Sequence, residues 1–138
     1  MKKILFVCHG NICRSVMAEY IMKNLDKYNK FYVESCATTT EEIGNDIYPP
    51  VKEVLKSKNI IFDKHKARQI NENDYYNFDY IFCMDQENLY DLERILPSND
   101  KTYLLSDNEI EDPWYTRDFI KCFDEIYSSI LDLIKNIK

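Results

Sequence analysis

The segment Ile4-Leu5-Phe6-Val7-Cys8-His9-Gly10-Asn11-Ile12-Cys13-Arg14-Ser15 constrains this chain more than any other stretch. Its opening apolar residues read as a strand buried on both faces, because a half-exposed strand alternates. That strand delivers Cys8 into a loop closed by Arg14, and a helix follows from Ser15. Strand, loop and helix in this order make a backbone cradle for a tetrahedral oxyanion, with a thiol at its base and a guanidinium at its rim. The Cys-x5-Arg spacing alone carries little. With five cysteines and four arginines in 138 residues, it arises by chance with a probability of roughly 0.15. Context supplies the weight: a strand before, Gly10 and Asn11 within, and Ser15 as the cap of the helix after.

The rest of the chain reads as a βα alternation. Strands are expected at Lys2 to Val7, Phe31 to Cys36, Tyr80 to Met84 and Thr102 to Leu105. Helices are expected from Ser15 to about Tyr28, from Pro49-Pro50 to about Lys58, from Asn71 to Tyr76, and from Gln86 to Leu96, where Pro97 stops it. On the first helix Met17, Ile21 and Leu25 share one face, directed at the sheet. Phe119, Phe123, Ile126, Ile130, Leu133 and Ile137 step by four and three and define a last helix. Thr38 to Tyr48 and Ser106 to Tyr115 read as loops, with Gly44-Asn45 the turn in the former. Four strands alternating with helices, without repeats or linkers, predict a single α/β domain over residues 1–138, an open parallel four-stranded sheet of flavodoxin-like type flanked by helices on both faces. In such sheets a ligand sits beyond the carboxyl ends of the strands where strand order reverses, and Cys8 lies at such an end.

Composition closes off several function classes. A formal net charge of −6 lacks the basic face that nucleic-acid binding needs, so no nucleic-acid partner is expected. Long-range steering will not favour an anion either, and any anion site must be built locally, inside the ~8 Å over which charge is felt at physiological salt. No apolar run approaches the roughly 18 residues of a membrane span, and the Met1 to Cys8 segment is too short and too soon interrupted for a signal peptide. Five cysteines without framework spacing fit reduced thiols in the cytoplasm.

The chain has only two glycines, so Gly10 needs a reason. A loop whose amides all turn inward requires residues that tolerate unusual backbone angles, and Gly10 and Asn11 are the cheapest types for it. Arg14 can grip two phosphate oxygens through its planar fork, as lysine cannot. The same field favours a sulfur anion at Cys8, since helix N-termini and arginines lower a thiol from its usual ~8.5. Further along, Asp112 stands in a Pro-rigidified loop before the last helix. Trp114 and Tyr115 follow it, and aromatic faces beside the cradle can sandwich a phenyl ring, at roughly 0.5–1.5 kcal/mol per contact beyond burial. Asp85, at the end of another strand, is a candidate partner for Arg14 or for the helix start.

Val7 to Ser15 resembles the active-site loop of the low-molecular-weight protein tyrosine phosphatases. The likeness extends through Glu34-Ser35-Cys36-Ala37-Thr38, Glu42-Ile43-Gly44-Asn45, His65-Lys66-Ala67-Arg68-Gln69-Ile70, Phe78 to Asp85, and Asp112-Pro113-Trp114-Tyr115. The resemblance implies metal-independent, cofactor-free hydrolysis of phosphotyrosine on proteins through a cysteinyl-phosphate, releasing inorganic phosphate. It implies Cys8 as nucleophile, Arg14 as clamp and Asp112 as general acid. It assigns His9, Gly10, Asn11, Ile12, Cys13 and Ser15 to the phosphate loop, with Ser15 hydrogen-bonding the thiolate, Trp114 and Tyr115 to the substrate cleft, and Ser35 and His65 to a network holding Asn11. Cys13 is placed by it as the thiol that can form a reversible disulfide with Cys8.

Two positions depart from the family pattern. Val16 stands where relatives usually carry proline. Glu41 stands where many place an aromatic, so one cleft wall is expected to be acidic and open. Three other readings compete. A thiol-dependent arsenate reductase needs a resolving cysteine about seven residues after Cys83, where Tyr90 stands. A protein-arginine phosphatase typically carries threonine at the position of Ile12. A silent phospho-ligand module would be expected to lose Cys8 or Asp112, and both are present.

Overall fold

The computed structural model describes residues 1–137. Four parallel strands, β1 (Lys2–Cys8), β2 (Phe31–Ala37), β3 (Tyr80–Cys83) and β4 (Thr102–Leu104), lie in the order β2-β1-β3-β4. β1 is central, with Ile4 to Cys8 all buried, as its unbroken apolar run requires. Its alternate residues feed two cores. Ile4, Phe6 and Cys8 face α1 (Arg14–Leu25), α2 (Pro49–Ser57) and α6 (Phe119–Asn136). Leu5 and Val7 face the side covered by α3 (Glu72–Asn77) and α4 (Gln86–Ile95). The open parallel sheet with helices on both faces is thus the architecture that the βα alternation predicts. Strand order reverses at β1, where Cys8 pairs with Ala37 of β2 while β3 ends opposite Val7.

Several boundaries move, each for a local reason. The first helix stops at Leu25 rather than near Tyr28. Asp26 accepts from the Lys30 and Phe31 amides at 2.9 Å each, and Asn29 turns the chain at φ 50°. α2 opens on its two prolines and ends at Ser57, before Asn59 in the left-handed region. α3 begins one residue later than its capping residue Asn71, which forms a reciprocal capping box with Asp74. The segment read as one loop from Ser106 to Tyr115 holds a further helical turn, α5 (Pro113–Thr116). Asp112 caps that turn, Pro113 opens it, and Arg117 at φ 62° closes it.

α1 goes further than the sequence reading. Met17 and Ile21 are buried against the sheet with Leu25 at the margin, as their spacing predicts, and every other residue from Arg14 to Met22 is buried as well, because β1, α6 and the loops surround these turns. Ser15 and Glu19 are thereby carried into the interior as polar groups. α6 follows its four-three spacing closely, with Phe123, Ile126 and Ile130 buried and Phe119, Leu133 and Ile137 at the margins. Ile130 is fully buried while its neighbour Leu131 is 39% exposed. Ile130→Ala should therefore cost about 2–5 kcal/mol in urea denaturation, whereas Leu131→Ala should stay within roughly 0.5 kcal/mol.

Candidate active site

The turn from β1 into α1 wraps around one atom. Cys8 Sγ accepts from the backbone N–H of Asn11 at 3.3 Å and of Ser15 at 3.4 Å, and lies 3.0 Å from Ser15 Oγ. Asn11 Nδ2 donates to that same Ser15 oxygen at 2.8 Å, so the Ser15 oxygen accepts from a thiol at Cys8, and its hydroxyl hydrogen can turn to an ionised sulfur. The arrangement suits a sulfur anion better than a thiol. Ser15 is accordingly not the helix cap that the sequence suggests. Cys13 holds the N-cap position and caps nothing with its side chain, so the first-turn amides of α1 remain directed into the loop.

Asn11, at φ 60°, is the loop residue in the left-handed region. Gly10 is not, so the sequence reading of two permissive residues holds for Asn11 alone. Gly10 instead lets a neighbour approach closely: a Cβ there would meet Glu42 Cγ at 3.3 Å, and the Glu42 side chain would have to shift. Every polar group of Asn11 is engaged. Nδ2 also donates to Ser35 Oγ at 2.9 Å, Oδ1 accepts from the Arg68 amide at 3.3 Å, and the carbonyl accepts from His65 Nε2 at 2.6 Å. Ser35 in turn donates to buried Glu19 at 2.5 Å. The expected Ser35 and His65 support is present, and Glu19 and Arg68 extend it.

Arg14, only 2% exposed, reaches the floor of the loop as the first residue of α1. Nη1 donates to Asp85 Oδ2 at 2.7 Å and to the Ile110 carbonyl at 2.9 Å, and Nη2 faces Asp112 Oδ2 at 3.5 Å. Burial works against its charge, but Cys8, Asp85 and Asp112 more than offset this, and its pKa lies above the ordinary arginine value. Of the two roles open to Asp85, it takes the Arg14 contact, and it also caps α4 through Asn88 N at 2.8 Å. Burial pushes up the thiols of the other four cysteines, Cys36 among them. Burial raises the Cys13 thiol far above its usual value, helped by Cys8 and Asp112, and pushes Cys83 and Cys122 up to about 12. All five cysteines are free thiols.

A cleft opens above Cys8. Loop residues His9, Gly10, Ile12, Cys13 and Arg14 line one side, Asp112, Trp114 and Tyr115 another, and Glu41 with Glu42 the third. Asn11, Ser15, Ser35 and His65 stand behind the loop and act on it through hydrogen bonds. Asp112 Oδ1 accepts from Trp114 N at 3.0 Å, which fixes the carboxylate at the cleft edge. Trp114 leans on Tyr48, with ring centroids 4.8 Å apart, and Arg117 braces both rings while donating to Tyr48 Oη at 2.9 Å. Tyr115 is 79% exposed and stands at the rim. The acidic wall expected at Glu41 is there and is doubled by Glu42. His9 Nε2 meets Glu41 Oε2 at 2.6 Å. Among the described residues no group of three or more His, Cys, Asp or Glu side chains is arranged to hold a metal ion.

Four participants escape sequence reasoning. The Ile110 carbonyl, Glu19 and the Arg68 amide carry no local signal. Tyr48 precedes two prolines and reads only as a helix entry.

Residues 3–138 match the sequence model of the family described as low molecular weight phosphotyrosine protein phosphatase. A curated relative of that name from Schizosaccharomyces pombe is 36% identical over 151 aligned positions, covering 98% of this chain and 96% of its own length. Its namesake from Gallus gallus is 38% identical, with 98% and 92% covered. The crystal structure of a low molecular weight protein tyrosine phosphatase from Streptococcus pyogenes superposes with a TM-score of 0.96 at 36% identity, covering 100% of this chain and 94% of that one.

The buried Arg14–Asp85 pair makes a stability prediction. Asp85→Ala strands a buried guanidinium and uncaps α4, and should cost about 3 kcal/mol or more in urea denaturation. Asp85→Asn keeps one acceptor oxygen, enough for Arg14 Nη1 or for the Asn88 amide but not for both, and should cost less than the alanine.

Proposed function

The chain belongs to the low molecular weight phosphotyrosine protein phosphatase family, and from that premise we propose that Cys8 is the nucleophile of a two-step hydrolysis of phosphotyrosine on proteins. The chain is a protein-tyrosine phosphatase; the residue roles, the covalent intermediate and the acid are our assignment. The observation that carries it is the convergence of two backbone amides and the Ser15 hydroxyl on Cys8 Sγ, beneath a cleft with Arg14 at its base.

In the first step the Cys8 sulfur attacks phosphorus opposite the tyrosyl oxygen. The loop amides from His9 to Ser15 and the Arg14 fork take up charge on the equatorial oxygens, where a transition state needs it most. Holding Arg14 through Asp85 and the Ile110 carbonyl leaves the guanidinium pre-set, so no reorganisation is spent during reaction. Asp112 donates a proton to the leaving phenol, then accepts one from the water that cleaves the cysteinyl-phosphate and frees inorganic phosphate. Trp114 and Tyr115 flank the phenyl ring. Nucleophile and acid line one cleft, and the reaction requires the first as a sulfur anion and the second with its proton. A single domain spanning the chain is supported by the family match from residue 3 to 138. A reducing, cytoplasmic setting is supported by five free, buried cysteines.

Two outcomes test this. Cys8→Ser should abolish phosphotyrosine turnover while the protein remains folded; turnover surviving in it refutes the assignment. Asp112→Asn should lower kcat by roughly 10²–10⁴-fold on phosphotyrosine, and by less on aryl esters with good leaving groups. Because Asp112 must carry its proton in the first step, kcat of the wild type should be highest in acid and fall as pH rises. That falling limb should vanish in Asp112→Asn. A rate climbing steadily to alkaline pH in the wild type would contradict it.

A further inference from the structure

We propose that Glu41 and Glu42 select phosphotyrosines flanked by lysine or arginine and reject those flanked by acidic residues. This rests on the phosphotyrosine reading above and concerns what surrounds the scissile group. Around the cleft mouth the ionisable side chains are His9, Glu41, Glu42 and Asp112. Asp112 faces inward to Arg14. Arg14 is 2% exposed, deep at the base, and committed to Asp85. Arg117, the nearby cation, is not part of the cleft lining and is turned onto the Trp114 carbonyl and Tyr48. Nothing cationic lining the mouth therefore answers the two glutamates except His9, which meets Glu41 alone.

Both carboxylates are held in place. The loop that carries them is strapped to the cradle: Thr39 Oγ1 and Thr39 N donate to the His9 carbonyl at 2.9 and 3.3 Å, and the Glu41 amide donates to Thr39 Oγ1 at 3.3 Å. Glu41 is fixed on His9 and still 65% exposed. Glu42 accepts from Asn45 Nδ2 at 2.7 Å, with its stem against Gly10. A fixed pair of anions beside the site that takes a phosphate dianion has a cost for every substrate. A positive side chain on the substrate offsets it, and a negative one compounds it. Residues one or two places from the phosphotyrosine in an extended peptide lie within about 7 Å along the chain. That is inside the ~8 Å over which charges interact at physiological salt. The selection therefore reaches immediate neighbours and fades beyond them.

The test uses the intact protein and phosphotyrosine peptides identical but for Arg, Ala or Glu at the two positions on each side. Wild-type kcat/KM should favour the Arg peptide over the Glu peptide roughly ten-fold, a size that neighbouring surface charges allow, mainly through KM. The ratio should shrink at high salt. In the Glu41→Gln/Glu42→Gln double variant it should collapse to within about two-fold, and Glu41→Lys should reverse it. Equal wild-type values, a ratio indifferent to salt, or a preference retained in the double variant would each overturn the inference. The wild-type salt series needs no variant and decides even if the substitutions unfold the protein. Hydrolysis of p-nitrophenyl phosphate, which has no flanking charge, separates the two layers. Turnover of it without charge preference sinks this inference alone; no turnover of any aryl phosphate sinks the catalytic reading with it.

Discussion

The sulfur of Cys8 is the point around which this chain is arranged. Two of its hydrogen-bond donors are backbone amides, and amides cannot be re-aimed by a rotamer change. Their direction is set by the path of the loop, by Asn11 at φ 60°, and by the first turn of α1. Those in turn depend on β1 ending at Cys8 where strand order reverses, and on the burial of α1 from Arg14 to Met22. A cradle made of peptide groups is only as fixed as the fold that supports it.

Asn11 shows how that support is transmitted. It is one of few residue types that accept a left-handed backbone while offering two donors and an acceptor. Its amide ties Ser15 to Ser35, and through Ser35 to Glu19 on α1; its carbonyl is held by His65 and its Oδ1 by the Arg68 amide. A glycine could follow the same path but would drop these contacts. On the opposite side, Arg14 plays the matching part, drawing in β3's end through Asp85 and the segment before α5 through Ile110. Chain segments far apart in sequence thus meet at one loop, and the cost of burying their polar groups is met because nearly all of them are paired.

How much of this is legible beforehand follows from where each constraint lives. β1 and α6 are written in hydrophobic spacing, so their existence, and the sheet between two helical layers, can be read off the chain. Cys8 and Arg14 stand out by their place between a buried strand and a helix, and Asp112 by the Asp-Pro-aromatic motif that carries the family resemblance. What stays hidden is tertiary. Nothing local announces that α1 is enclosed, that Pro113 opens a helical turn, or that a carbonyl at Ile110 reaches Arg14. Two residues break a local rule: Ser15 looks like a helix cap but serves the sulfur, as the family resemblance implies, and Gly10 looks permissive in backbone but lets Glu42 approach closely. In both cases a local rule is overridden by a partner brought in by the fold. Glu41 is the reverse case, visible in sequence as a departure and found in the structure as part of the cleft wall, paired with His9.

The central claim is that the Cys8 sulfur becomes covalently bonded to phosphorus. Rapid acid quench of the wild-type protein during turnover of an aryl phosphate, followed by mass spectrometry of the fragment carrying Cys8, tests it directly. The account predicts a phosphoryl adduct on Cys8 that appears with the first equivalent of phenol and decays with phosphate release. Phenol and phosphate released together, with the Cys8 fragment unmodified throughout, would contradict it.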